Sequence, residues 1–345
     1  MTNPRQTMNA VSPAAAGRRG LLLAGAGLAA GLSAGLSAGP ALAQGSDFPN
    51  RPLRIMVPFP PGGAADIISR VVAEAAQPRL GQNVIVENRS GGGGSVGTEA
   101  AIRAPADGYT LLLGNLSTNS INPEIRSNLG YDPGTALAPV AAIGNVYMVV
   151  YGRPDLPART MAELIEMARA RPGEVTYGTA GVGSSTHLAM LLLEASAGIR
   201  MNHIPFRGTA PATAAVLGSQ IDLTIDTVPT AIPHIAAGNV RPLGTTTRGR
   251  HALLPDVPSF VELGIIENEI AIYNALFAPA QTPPAILERL GTAFEATVAL
   301  PAVRARLSEM GVDEMAVPRG MLAAHIAADR ARWREVIRRA GIMLD

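Results

Sequence analysis

Two glycine-lined loops hold the residue types in this 345-residue chain that could bind an anion. In VPFPPGGAAD (57–66), Pro60-Pro61 and Gly62-Gly63 break an apolar run that begins at Leu53, and helical periodicity resumes at Ala64. In YGTAGVGSSTHL (177–188), a strand-like run ends at Tyr177. Gly178, Gly181 and Gly183 then let the backbone turn, and Ser184, Ser185 and Thr186 place hydroxyls where the next helix begins. A helix start presents unpaired N–H groups and the positive end of the helix dipole, so a carboxylate or phosphate can be held there without a charged side chain. Capping by the serine or threonine itself is the competing account of the second loop. The matching loop at Pro60 to Asp66 favours the anion site.

Other chemistries fit less well. The glycines at 178, 181 and 183 do not complete G-x-G-x-x-G, because Thr186 stands where the last glycine belongs; the chain downstream, MNHIPFRG, offers no acid for a ribose. Gly93-Gly94-Ser95-Val96-Gly97 matches the G-x-S-x-G nucleophile elbow. An exported serine hydrolase would use Ser95, a later aspartate and one of His187, His203, His234, His251 or His325. Ser95 follows a run of glycines, however, and a loop that lets backbone approach the other lobe or a ligand accounts better for it. The histidines show neither H-x-x-x-H nor H-x-H spacing, so no metal site is expected.

Asp226, ending the strand-like IDLTID, is expected to face the cleft and accept hydrogen bonds from a ligand hydroxyl or amine. Turn or cap chemistry is the alternative for it and for Asp222. Arg207, in IPFRGTAPA, could pair a second carboxylate, with a solvated surface arginine as the default. The arginines of RARWREVIRRAG, near the C-terminus, read as a solvated helix face. The chain has no cysteine, and all 28 basic residues are arginine. Thiolate chemistry, disulfides, Schiff bases and the phosphate-loop lysine are thereby excluded.

The elements that must position these loops alternate between strand-like and helix-like runs. LRIMVPF, NVIVEN and YTLLLGN form one block; EVTYGTA, MNHIPFRG, IDLTID and VRPLGTT form a second, with helix-like runs between the strands. That rhythm predicts parallel sheets covered by helices. Two apolar runs, Leu137 to Tyr151 and Ile270 to Pro279, lie between and after the blocks and could pass from one lobe to the other. From Pro283 onward the pattern is purely helical. Two lobes joined by two crossing strands would bring strand ends and helix starts to a shared cleft, where open sheets bind ligands.

Residues 1–43 read as an export signal. Arg18-Arg19 precede a Gly/Ser-diluted apolar stretch that ends in an A-x-A type site, with Ala43/Gln44 the expected cut. The arginine pair and the weak hydrophobicity lean toward the twin-arginine route. Removing that segment takes away three arginines and no acid, so the formal charge moves from +1 to −2. A nearly neutral mature chain offers nucleic acid no basic stripe.

The motifs, in order and spacing, resemble the tripartite tricarboxylate transporter substrate-binding proteins, the Bug receptors. VPFPPGGAAD, VENRSGGGGSVGTEAA, ADGYTLLLGN, YGTAGVGSSTHLA, IPFRGTAPA, IDLTIDTVPTAIPHIAAGNVRPLGTT and FAPAQTPPAIL carry the likeness, over nearly all of residues 50–345. The resemblance implies an α/β, two-lobed periplasmic binding protein type II fold, each lobe a mixed sheet flanked by helices, joined by two crossing strands. Lobe one would comprise 47–147 and 273–345, and lobe two 148–272.

It also implies an extracytoplasmic receptor, active in the periplasm, that binds a small organic carboxylate and hands it to membrane permease subunits. No catalysis, cofactor or nucleic acid is expected, and a monomer is. A ligand receptor for a sensor kinase is the variant reading. Carried over by resemblance, Phe59, Gly62, Gly63 and Ala64 in lobe one and Gly181, Gly183, Ser184, Ser185 and Thr186 in lobe two would hold a carboxylate. Asn115, Ser117, Gly208, Thr209 and Asp226 would line the selective part. The chain departs from the family where many relatives have tryptophan and this one has Tyr273, and where Phe206-Arg207 replace a common tyrosine and lysine; both bear on the ligand's distal end.

Overall fold

Residues 48–126 and 128–340 are described by the structure, a computed structural model; the expected export signal over 1–43 lies outside them. The first block forms β1 (Leu53–Val57), α1 (Ala64–Leu80), β2 (Val84–Asn88), α2 (Ser95–Ile102) and β3 (Thr110–Asn115). β1 pairs in parallel with β2 and β3, so each helix serves as a crossover. A π-helical turn over Leu116–Ile121 follows β3 and leads through α3 (Asn122–Ile125) and α4 (Pro133–Ala136) to β4 (Leu137–Val146).

The chain leaves this sheet at Val146 and enters the second at Met148, so the apolar run from Leu137 is divided at Tyr147. The second sheet contains β5 (Met148–Gly152), β6 (Thr176–Thr179), β7 (Asn202–Pro205), β8 (Leu223–Thr227) and β9 (Arg241–Thr245). Its helices are α5 (Met161–Ala170), α6 (Ser185–Ala197), α7 (Thr209–Leu217) and α8 (Val228–Ala236). β6, β7 and β8 are parallel, while β5 runs antiparallel to both β8 and β9. The chain then returns as β10 (Ile272–Pro279), α9 (Pro284–Val298), α10 (Pro301–Glu309), β11 (Val312–Asp313) and α11 (Arg319–Ala340).

The sheet orders are β11-β4-β10-β3-β1-β2 and β7-β6-β8-β5-β9. β3, β8 and β10 are buried along their whole length; β3 and β10 accordingly read as largely apolar runs, while in β8 Thr224 and Asp226 alternate with Leu223 and Ile225. The strands that enter from the crossings, β10 and β5, are antiparallel to their neighbours, so the sheets are mixed where the strand–helix rhythm alone predicted parallel ones.

Two local expectations are corrected. The stretch after Pro283 is not purely helical, because β11 adds two residues to the edge of β4, too few to leave a periodic signal. Nor is the C-terminal arginine helix simply a solvated face. Arg330 and Arg334 both grip Glu124 of α3, whose side chain is almost fully buried, and Arg330 reaches Asp132 as well. Burial alone would raise the Glu124 carboxyl, but the two guanidinium groups outweigh it and hold it below the usual carboxylate range. This network pins α11 against the segment that follows β3.

Candidate ligand-binding site

Lobe one contributes an open helix start. Gly63 is the N-cap of α1 and has no side chain with which to cap it. Asp66 and Ile67 both donate their amides to the Gly63 carbonyl at 3.0 Å, whereas the amides of Gly63, Ala64 and Ala65 have no hydrogen-bond acceptor among the described residues. The Gly62 amide is different, since it donates to Asp66 Oδ2 at 3.0 Å. Burial alone would raise the Asp66 carboxyl, but the hydrogen bonds from Arg70 and the Gly62 amide hold it low, so it stays ionised and turned back on its own loop.

Beside α1, Asn115 ends β3 and caps the π-helical turn, accepting from the amides of Ser117 and Thr118. The turn is braced from behind, where Tyr273 Oη and Ser120 Oγ lie 2.9 Å apart. Tyr273 is thus buried in the wall and does not line the cavity.

Lobe two presents a helix start that is already largely satisfied. Ser184 Oγ accepts from the His187 amide at 3.2 Å and donates to the Gly181 carbonyl at 2.7 Å. Thr186 Oγ1 accepts from the Ala180 amide, Thr179 Oγ1 from Gly181 and His187 Nδ1 from Gly183. The Ser185 amide donates across the cleft to Ser117 Oγ at 2.8 Å. Behind the loop, His187 and His203 stack with ring centroids 4.2 Å apart, and Tyr177 stacks on His203. Burial pushes both imidazoles down to about 4, with the neighbouring ring adding to the effect on His187. The sequence reading of unpaired amides along this loop is therefore revised: capping accounts for most of them, and among the described residues the amides of Val182 and Thr186 remain, of which only Thr186 borders the cavity.

Between the walls lies a cavity of about 60 Å³. Phe59, Gly63, Ala64, Asn115 and Ser117 line it from lobe one; Ser184, Ser185, Thr186, Gly208 and Thr209 line it from lobe two. No residue with a charged side chain is among its lining. Four of the expected residues lie elsewhere. Gly62 faces Asp66, while Gly181 lines the adjoining groove and Gly183 packs against Asn122 and Arg126 at the seam, both outside the cavity. The Asp226 carboxylate points into lobe two, where it takes hydrogen bonds from Thr213 Oγ1 and the Thr227 amide, and burial raises its pKa. Its neighbour Thr227 faces the cavity instead, since successive strand residues point to opposite faces.

Residues 68–342 match the family described as "Tripartite tricarboxylate transporter family receptor". The chain belongs to this family. BugT of Bordetella pertussis is 34% identical over 298 residues, covering 86% of this chain and 91% of that one. Among solved structures, the R. palustris protein Rpa4515 with adipate is 33% identical, covering 86% of this chain and 99% of that chain, with a TM-score of 0.82. MatC of Rhodopseudomonas palustris with bound malate is 28% identical, covering 84% and 100% respectively, with a TM-score of 0.80. The chain is a solute receptor with the periplasmic binding protein fold, and membership of the family places it in the periplasm.

In this receptor the lobes meet through glycine. A Cβ at Gly208, where φ is +121°, would stand 2.2 Å from Pro60 Cγ, and one at Gly93 would stand 2.8 Å from the Val182 carbonyl oxygen. Arg126 bridges the same seam, its Nη2 donating to the Val182 carbonyl at 3.0 Å. The glycine run before Ser95 thus permits close interlobe approach. Ser95 itself begins α2, and among the described residues no histidine hydrogen-bonds to it; His187, His203 and His251 are engaged with Gly183, Thr179 and Leu253. Arg207 is exposed on an adjoining groove outside the cavity.

Sequence reasoning missed Asn274, Thr227, Val146 and Ile272, all of which line the cavity. Asn274 had a usable signal, being the strongly polar residue inside the otherwise apolar IYNALFAP.

Proposed function

We propose that this receptor closes its cleft over one small organic carboxylate and passes it to the permease subunits of a tripartite tricarboxylate transporter. It carries out no reaction. The reading rests on one observation: three adjacent amides, of Gly63, Ala64 and Ala65, have no acceptor among the described residues at the start of a 17-residue helix and border a cavity without charged side chains. Two similar structures hold adipate and malate, which supports an acid as the guest.

The anionic end would take the α1 amides and the Thr186 amide. Phe59, Asn115, Ser117, Ser184, Ser185, Gly208 and Thr209 would complete the walls. Enclosure lowers the local dielectric and strengthens each N–H contact, and the site suits micromolar affinity, about −8 kcal/mol. Export would remove residues 1–43, and the mature receptor would act as a monomer.

A thermal-shift and calorimetry screen over a carboxylate panel, run on protein stripped of copurified ligand by unfolding and refolding, tests the reading. Acids should raise the melting temperature while the matching neutral amides do not. Equal binding of acids and amides, or no response to any acid, would end it.

A further inference from the structure

The cavity contains a matched pair of side-chain amides whose orientations are both set by the protein. Asn115 and Asn274 are register partners on β3 and β10, are about 5% and 2% exposed, and both border the cavity. Asn115 Oδ1 is taken by the amides of Ser117 and Thr118 at 3.0 and 3.3 Å. Its Nδ2 is thereby left as a donor, and among the described residues it has no acceptor. Asn274 shows the reverse arrangement. Its Nδ2 donates to the Ile272 carbonyl at 3.2 Å, an acceptor that fixes which way the amide is turned, so Oδ1 is left with no donor among the described residues.

A donor and an acceptor on two nearly buried residues therefore stand side by side at the cavity wall. Leaving either unmet on closure is costly, and a site built to meet a hydroxyl rejects the analogue without one more strongly than a purely apolar pocket would. A hydroxyl can do both jobs, accepting from Asn115 Nδ2 and donating to Asn274 Oδ1. A second carboxylate only accepts, and would set its charge against Asn274 Oδ1 with no cationic side chain in the lining to offset it. An ammonium group only donates. The apolar Val146 and Ile272 border the same cavity.

Building on the carboxylate reading above, we propose that the ligand is a small hydroxycarboxylate, its hydroxyl read by the Asn115–Asn274 pair. Calorimetry on the purified protein tests this with matched acids of two to six carbons, L- and D-malate against succinate and L- and D-lactate against propionate among them. One enantiomer of a hydroxy acid should bind at least tenfold more tightly than its deoxy partner. Asn274→Leu should erase that margin by weakening the hydroxy acid, with the deoxy acid changed less than about threefold. Equal affinity within every pair of the wild-type protein, or a margin that survives Asn274→Leu, overturns the hydroxyl reading and leaves the carboxylate receptor standing. Absence of binding by every acid overturns both.

Discussion

The starts of α1 and α6 look alike as sequence, each a glycine loop at the end of a buried strand, yet they differ in what they leave for a ligand. Around α1 the N-cap is Gly63, no side chain caps it, and three successive amides have no acceptor among the described residues. Around α6, Ser184, Thr179, Thr186 and His187 satisfy the loop from within, and Ser117 takes the Ser185 amide from across the cleft. Anion-holding capacity thus follows the scarcity of nearby side-chain acceptors more than the number of glycines. On the proposed reading lobe one would supply most of the grip, and lobe two would cover it.

The sharpest way to break this contrast is Gly63→Asp. The N-cap geometry, φ −80° and ψ 164°, suits any residue, and a Cβ there meets nothing closer than the Pro60 carbonyl at 3.7 Å. The new carboxylate would occupy the amides proposed for the ligand, so affinity should fall at least a hundredfold by calorimetry while the melting temperature does not fall, because an aspartate N-cap is better than glycine by roughly a few tenths of a kcal/mol.

Acid should act next, and through lobe two. His187 and His203 are held neutral down to about 4, whereas in the unfolded chain they protonate near 6.5. The unfolded state therefore takes up protons first. Their contribution to stability is intact above pH 6.5 and is lost as pH falls toward 4, by at most about 1.4 kcal/mol per unit for each histidine. Melting curves between pH 7 and 4 should show the loss, and His187→Asn with His203→Gln should flatten it.

A smaller effect is expected from Ser184→Ala. Loss of the α6 cap should cost about 1 kcal/mol in stability, read by urea unfolding, and less than tenfold in affinity. If it weakened binding as much as Gly63→Asp, the two lobes would share the grip equally. At the bottom of the scale, Ser95→Ala should change neither affinity nor melting temperature measurably; an esterase turnover that vanished with it would instead establish catalysis.

Much of this arrangement was legible in the chain itself. The strand–helix rhythm and the two crossing runs gave the two-lobed α/β fold, since hydrophobic periodicity records which faces are buried. The glycine loops marked the cleft. Side-chain direction was harder to read, because β8 and β10 are buried on both faces: β10 shows no alternation, and the alternation of LTIDT in β8 does not say which of its two buried faces meets the cavity. That is why Asp226 was expected in the cavity and Thr227 was not, and why Asn274 went unremarked. The satisfaction of the α6 loop was also hidden: it depends on Thr179 and His187 folding back and on Ser117 arriving from another lobe, contacts that no local pattern encodes.

At Gly208 against Pro60, and at Gly93 against Val182, the jaws meet main chain to ring and main chain to main chain. Substitution can reshape the interior of such a trap far more readily than its bite. A lineage could exchange one metabolite for another by altering Asn274, Thr227 or Val146 while the depth of closure, and hence the outline shown to a membrane partner, stayed the same. Diversity of cargo with constancy of silhouette is what a glycine rim makes available.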